Sequence, residues 1–291
     1  AFLFRFLFGS KVVIDVLDIW PEAVDSSNKL NNKFALRVLN KICKWSYCKA
    51  DKLTAISPGF KRSLVERSVP SEKIEVIYNW CDEASIGKEV SLSASIANLK
   101  TPKKFVVLFA GAMGPAQGLD TLLDCDKICE NKLPNVQFVL LGGGVDQPHL
   151  EKRASEMKLS NVNFLPTRPS NLMGELYDMA DALIVHLKEH PLFQITIPSK
   201  TQVYLYVGKP IIMAVRGDAE ALVKEACAGV VCKPADPLDM AKAINILTNM
   251  TEEERLAMGD KGHIYYMKNL SSMVGVEKFE RVFLSCTGSV L

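Results

Sequence analysis

None of the eight cysteines (43, 48, 81, 125, 129, 227, 232 and 286) stands in a C-x-x-C spacing with another. That excludes a zinc ribbon and the dense disulfide framework of a small secreted scaffold, and points to reduced thiols in a cytoplasm. An excess of charge of one sign is lacking too. Lys and Arg number 35 against 33 Asp and Glu, a net of +2, which gives no electrostatic case for nucleic acid. Apolar runs break off well short of the ~20 residues a membrane span requires. There is no internal repeat and no low-complexity tract. What remains is a chain of 291 residues, 48% hydrophobic and 23% charged, which suits one large or two medium domains.

The opening AFLFRFLFGS lacks the basic flank and small-residue cleavage site of a secretory signal. It reads as a buried or interfacial helix of a chain cut at its front. The next segment, KVVIDVLDI, has the pattern of a central parallel strand with nothing before it to pair with.

Strand and helix patterns then alternate. Strands are expected at 11–17, 52–56, 73–77, 104–109, 136–141, 161–165, 181–186, 210–214 and 229–232. Helices are expected at 28–49, 58–68, 117–131, 147–158, 170–179, 199–207, 217–226 and 236–249, with the last helices from about 251 to 284. β-branched runs alternating with amphipathic helices predict an α/β fold of parallel sheets covered on both faces. The polar, Ser-rich stretch EASIGKEVSLSASIANLKTPKK is the best boundary. It places residues 1–82 in a first unit with three strands, half a domain. Residues 83–103 read as a linker and 104–262 as a complete doubly wound domain.

Four loops of the second unit follow strand ends, where doubly wound sheets bind ligands. FAGAMGPAQGLDTLL is a glycine turn entering a helix, able to cradle an anion with backbone alone through Gly111, Gly114 and Gly118, or else a tight sheet corner. LLGGGVDQPHL offers Gly142 and Gly143 as a surface free of side chains, or else a flexible loop. VNFLPTRP carries Arg168, either phosphate-facing or solvated. The fourth, VHLKEHPLFQITIPSKTQVYLYVGKPIIMAV, is the most specific. Thr196 and Ser199 bracket a helix entry where N–H groups of Ile197, Ser199 and Lys200 lack partners. Lys200 in a first turn opposes the helix dipole unless it serves a bound anion. His186 and His190 are four apart, but Pro191 and the strand end deny them a common helical face, so no metal site is expected. Asp124 and Asp126 of DCD fall inside a helix about 200° apart and cannot chelate one ion.

Together these segments resemble the large family-four glycosyltransferases, with the GT-B fold of two facing Rossmann-like domains. DVLDIWPEAV resembles the D-x-W-P-E segment of a branch that transfers amino sugars in O-antigen and capsule synthesis. SPGFKRSLVERSVPSEKIEVIYNWCD resembles the last helix, strand and hinge of the N-terminal domain, ending in N-W-x-D. GAMGPAQGLDTLL and PSKTQVYLYVGKPI resemble that branch's G-x-L-G-x-x-Q-G-L and P-x-K-x-Q-x-Y-x-x-x-G-K-P segments. The resemblance implies that the N-terminal, acceptor domain is incomplete and that residues 263–291 cross back to it as a C-terminal helix.

It also implies a function: transfer of an N-acetyl amino sugar, with retention, from a UDP-sugar to a polyprenyl-diphosphate-linked saccharide acceptor in cell-surface polysaccharide synthesis. UDP-sugar serves as co-substrate and neither a metal nor another cofactor is required. Lys200, Asp18 and Glu22 are the catalytic candidates. Donor binding falls to Gly111, Ala112, Gln117, Gly142, Gly143, Gln194, Thr196, Ile197, Ser199 and Gln202, with the base near Phe164, Pro166 and Arg168. The sequence departs from the wider family in two motifs. The G-R-L-x-x-x-K-G loop holds Ala112 and Gln117 where Arg and Lys grip the diphosphate. Of the E-x7-E pair, the second position falls on Val203 and the first near Ile195, beside Gln194. A basic helix at 33–52 with Trp45 and Tyr47 suits anionic lipid at the inner face of a cytoplasmic membrane, or else is a solvated face. A non-catalytic nucleotide-sugar-binding module and a GT-B nucleotide-sugar epimerase stand as alternatives.

Overall fold

A computed structural model describes residues 1–20, 33–86 and 104–287. Two parallel sheets organise them. The first has the order β1-β2-β3, from Val13–Val16 (β1), Lys52–Ala55 (β2) and Ile74–Val76 (β3). The second comprises Phe105–Ala110 (β4), Val136–Leu141 (β5), Val162–Leu165 (β6), Ala182–His186 (β7), Ile211–Ala214 (β8) and Gly229–Val231 (β9), in the order β6-β5-β4-β7-β8-β9. Each strand lies at its expected place. Among the described residues β1 pairs with β2 alone.

Alternation along the strands feeds two cores. Val106, Leu108, Val139, Leu141, Leu183 and Val185 pack on one face, with Tyr204 and Tyr266 from covering helices. Val107, Phe109, Phe138, Leu140, Ile184 and Ile212 pack on the other, with Leu122 and Ile244. Six fully buried residues in a row, as in β4 and β5, are what a doubly covered parallel strand demands. The strand order reverses between β4 and β7. Loops that leave these two neighbours diverge to opposite faces and open a crevice between them.

The helices hold two surprises. The expected helix at 170–179 splits into a 3₁₀ turn, Ser170–Leu172, and a short helix, Gly174–Met179. An unforeseen helix, Pro191–Ile195, forms where Pro191 supplies a first-turn φ and His190 Nδ1 accepts the Leu192 N–H at 3.2 Å. The front segment is helical at Phe2–Phe8 and ends at left-handed Gly9, but buries no residue. The buried alternative for it is thereby corrected. No described helix is long and apolar enough to cross a membrane.

The first sheet's helix Pro58–Glu66 meets the second unit directly. Ser57 Oγ donates to the Ile195 carbonyl at 2.6 Å, and Arg62 pairs with Asp218 at 2.9 Å. Beyond the hinge, the Glu83 carboxylate accepts hydrogen bonds from Tyr266 Oη, Ser272 N–H and Ser272 Oγ at 2.8–2.9 Å. Glu83 thereby fixes the start of the terminal helix Ser272–Thr287. Lys278 and Arg281 of that helix share a groove with Lys52, Glu72 and Glu75 of the first unit.

Candidate active site

At the C-terminal ends of β4, β5 and β7 lies a cleft of about 940 Å³. Gly111 ends β4 with φ 143° and Gly142 ends β5 with φ 136°, both in a region that side chains avoid. A β-carbon on Gly142 would come within 2.0 Å of the Gly111 carbonyl, so these loops touch backbone to backbone. A β-carbon on Gly111 would lie 3.0 Å from Lys200 Nζ. The loop after β4 and the helix after β7 therefore present one surface.

Lys200 belongs to the first turn of the helix Ser199–Val207. No side chain caps that helix, no acid stands in its first turn, and helix geometry leaves the Ser199 and Lys200 N–H groups without an intrahelical acceptor. The lysine as a whole is half-buried, but its ammonium nitrogen is enclosed and has no hydrogen-bond partner among the described residues. It lies 3.6 Å from the centroid of the Phe109 ring. Burial lowers its pKa to about 7. An enclosed amine beside free amide donors is a site built for an anion.

Two contacts hold this arrangement. The fully buried Tyr204 accepts the Ala110 N–H at 3.0 Å and donates to the Ala110 carbonyl at 3.3 Å, tying the helix to the end of β4. His186 Nδ1 donates to the Gln117 carbonyl at 2.5 Å, while Nε2 accepts the Ala235 N–H at 3.1 Å. Both ring nitrogens are thus engaged, and burial, with help from Lys200 and Lys188, lowers the imidazole pKa. Gln117 Oε1 accepts the Gly114 N–H at 3.1 Å, which leaves its amide NH₂ as the group able to donate to a ligand.

The cleft unites most of the candidates. Gly111, Ala112, Gln117, Gly142, Gly143, Arg168, Thr196, Ser199 and Lys200 all line it, as does Val203. Several others sit elsewhere. Phe164 pairs in register with Leu140 and packs into the core on that face, so its ring cannot stack a base in the cleft. Pro166 and Gln194 are exposed and do not line it. The Ile197 side chain is buried in the core, so only its backbone N–H, the group the sequence reading named, is left to meet a ligand. Gln202 is 3% exposed, and its amide end lies 2.9 Å from the carbonyls of Pro198 and Ser199, which assigns that atom as the NH₂ donor. Asp18 is exposed beyond β1 and lines no part of the cavity. Glu22 falls outside the described residues.

Sequence reasoning missed Thr167, Met173, Tyr177 and Phe193, and the hinge residues Trp80 and Asp82, all of which line the cleft. Trp80 and Asp82 belong to the N-W-x-D hinge, and that motif was the available signal. Among the described residues no three His, Cys, Asp or Glu side chains converge. Asp124 pairs with Arg153 at 2.7 Å while Asp126 is buried, so the two do point apart.

Residues 94–264, more than half of the chain, match the model of Glycosyl transferases group 1. The chain belongs to the group 1 glycosyl transferases. Residues 13–85 match the model of Glycosyltransferase Family 4. This group 1 chain is 25% identical over 283 residues to the probable glycosyltransferase WbjE of Pseudomonas aeruginosa, covering 95% of itself and 69% of WbjE. It is 24% identical over 223 residues to the D-inositol 3-phosphate glycosyltransferase of Corynebacterium kroppenstedtii, covering 72% of itself and 48% of that protein. Among solved structures, Anabaena HepE in complex with UDP-glucose superposes with a TM-score of 0.74 at 19% identity, over 97% of this chain and 74% of that one. WaaG, a glycosyltransferase involved in lipopolysaccharide biosynthesis, superposes with a TM-score of 0.70 at 14% identity, over 99% and 80%. At such identities the likeness is one of fold: GT-B, two Rossmann-like units.

Proposed function

We propose that this glycosyltransferase moves a sugar, an N-acetyl amino sugar on the resemblance of its motifs, from a UDP-sugar to a polyprenyl-diphosphate-linked saccharide with retention at the anomeric carbon. The observation that carries the donor half is the enclosed, unpartnered Lys200 ammonium beside Gly111. The HepE structures, which hold UDP or UDP-glucose, support a uridine nucleotide as the ligand class.

As the glycosidic bond to the diphosphate breaks, negative charge grows on the departing phosphate oxygens, and stabilising that charge dominates the chemistry. The Gly111 N–H is committed to the Leu141 carbonyl at 2.9 Å, so in this reading the Ala112 N–H on one side and the Ser199 and Lys200 N–H groups on the other serve the phosphates. Lys200 supplies the cation that Ala112 and Gln117 lack, and Gln117 donates through its NH₂. In this reading no metal ion is needed, since lysine and backbone dipoles provide the positive potential. Titration calorimetry with UDP tests the site. UDP release on addition of a lipid-linked saccharide tests the reaction.

The acceptor chemistry motivates a peripheral membrane position at the cytoplasmic face. The helix Lys33–Lys49 exposes Phe34, Val38, Ile42 and Trp45 next to exposed Arg37, Lys41, Lys44 and Lys49. Tyr47 is only 7% exposed and packs beneath the first sheet with Leu53 and Phe60, so it is not an interfacial aromatic. Basic and apolar side chains on one helix suit an anionic lipid surface. Flotation with vesicles containing anionic lipid checks this, and equal recovery with and without lipid removes it.

One observation favours a second reading, a nucleotide-sugar-binding module without catalysis. Val203 lines the cleft where the family pattern puts a carboxylate, and an apolar group leaves ribose hydroxyls unpaired at about 1–3 kcal/mol. UDP binding without UDP-sugar turnover would establish it. An epimerase is disfavoured, because His186 has both ring nitrogens committed to backbone and offers no proton-transfer group.

A further inference from the structure

The two lobes are joined at a point outside the cleft. Asp218 opens the helix Asp218–Glu225 and is 8% exposed. Its Oδ2 accepts the Gly59 N–H at 2.5 Å and its Oδ1 accepts Arg62 Nη2 at 2.9 Å. Ser57 Oγ accepts the Phe60 N–H at 3.1 Å, capping the helix Pro58–Glu66, and donates across the gap to the Ile195 carbonyl. The fit is close. A β-carbon on Gly59 would lie 2.6 Å from both Asp218 Oδ2 and Ile195 Cβ.

The acceptors on the second lobe are not arbitrary surface. Ile195 immediately precedes Thr196, Ser199 and Lys200, which line the anion site. Gly217, next to Asp218, packs so tightly on the Gln194 carbonyl that a β-carbon there would come within 1.9 Å of it. The start of helix Asp218–Glu225 and the segment before Thr196 therefore form one block. Three groups of the first lobe, from Ser57, Gly59 and Arg62, grip that block. Asp218 suits this position on two counts. Its charge favours a helix N-terminus, and charge-assisted hydrogen bonds to a largely desolvated carboxylate are strong and directional.

We propose that Asp218 is a positioning residue, the second-lobe half of a clasp with Gly59 and Arg62 that sets the spacing between the first lobe and the helix start carrying Ser199 and Lys200. The kinetic part of the test rests on the transferase reading; the structural part does not. Asp218→Ala and Gly59→Ala break the clasp from opposite sides, one by removing the acceptor and the other by wedging the lobes apart without removing any charge. Small-angle scattering of the folded protein should show a larger radius of gyration for both. UDP affinity by calorimetry should stay within about 3-fold, since the diphosphate site lies on the second lobe, while kcat falls by at least ~10-fold as the reacting centres are misplaced. Arg62→Lys, which keeps a cation, should recover most of the spacing. An unchanged radius of gyration in both Ala variants overturns the clasp whether or not transfer is detected. Loss of UDP binding in both, with unchanged scattering, overturns it as well and makes Asp218 a support of the second lobe alone.

Discussion

Lys200 Nζ stands 3.0 Å from the point where a β-carbon on Gly111 would sit, although 89 positions separate the two residues in the chain. A glycine-rich turn without a cation thus acquires one from the next strand's helix across the switch point. The geometry turns two weak sequence signals into a single site.

Replacing Lys200 by Ala should remove that charge from the leaving group. Transfer should fall by about 10²–10³-fold in kcat, the loss typical of removing one preorganised electrostatic contact. Gly111→Ala should act less severely, by pushing Nζ aside and straining a φ of 143°. Steady-state rates of UDP release measure both, and near-normal turnover by Lys200→Ala would remove lysine from the proposed mechanism.

Binding of a diphosphate should be coupled to proton uptake. Burial holds the Lys200 pKa down at about 7, and a bound anion raises it again. At pH 8 the amine is mostly neutral before binding and charged after it, so close to one proton should be taken up. Near pH 6 it is already charged and uptake should vanish. Calorimetry with UDP in buffers of different ionisation enthalpy reads the number directly, and a pH-independent value near zero contradicts the coupling.

Asp126 should make the fold pH-sensitive. Both its carboxylate oxygens are buried without hydrogen-bond partners among the described residues, and burial raises its pKa to about 7. The folded state therefore holds a proton that the unfolded chain has released, and this contribution to stability is lost as pH rises from about 4 to about 7. Asp126→Leu should stabilise the protein by roughly 2–4 kcal/mol at pH 8 and far less at pH 4. Urea unfolding at both pH values checks the difference.

Val203→Glu should restore a ribose acceptor. Val203 is partly packed on the core and also lines the cleft, so a longer carboxylate side chain there should extend into the cleft. UDP affinity should rise by about 10-fold, as expected for one hydrogen bond to a charged group. Unchanged or weaker binding places the ribose elsewhere.

The strands were legible because a parallel strand buried on both faces leaves an unbroken apolar run, as in Phe105–Ala110 and Ile211–Ala214, while interrupted segments such as Val13–Val16 and Ile74–Val76 were placed by their alternation with helices. Loops after strands could be ranked as ligand loops for the same reason. Sequence pattern failed where a side chain's direction mattered. Phe164 and Leu165 alternate in one strand and pack against opposite cores, and neither lines the cleft, which lies beyond the strand end. Gln202 looked like a ligand residue by spacing, yet an unsatisfied turn of its own helix claims its amide. Met173, Tyr177 and Asp218 reach their places only through long-range packing, which no local period announces.

Tyr204 ties the helix behind Lys200 to the strand before Gly111 through both polar atoms of a single residue's backbone, at Ala110. Both walls of the proposed anion cradle therefore belong to one lobe and are tied to each other directly. If the proposed donor reading holds, nucleotide capture need not wait for the other lobe, and the donor should dock first, with the second substrate arriving at an already loaded face.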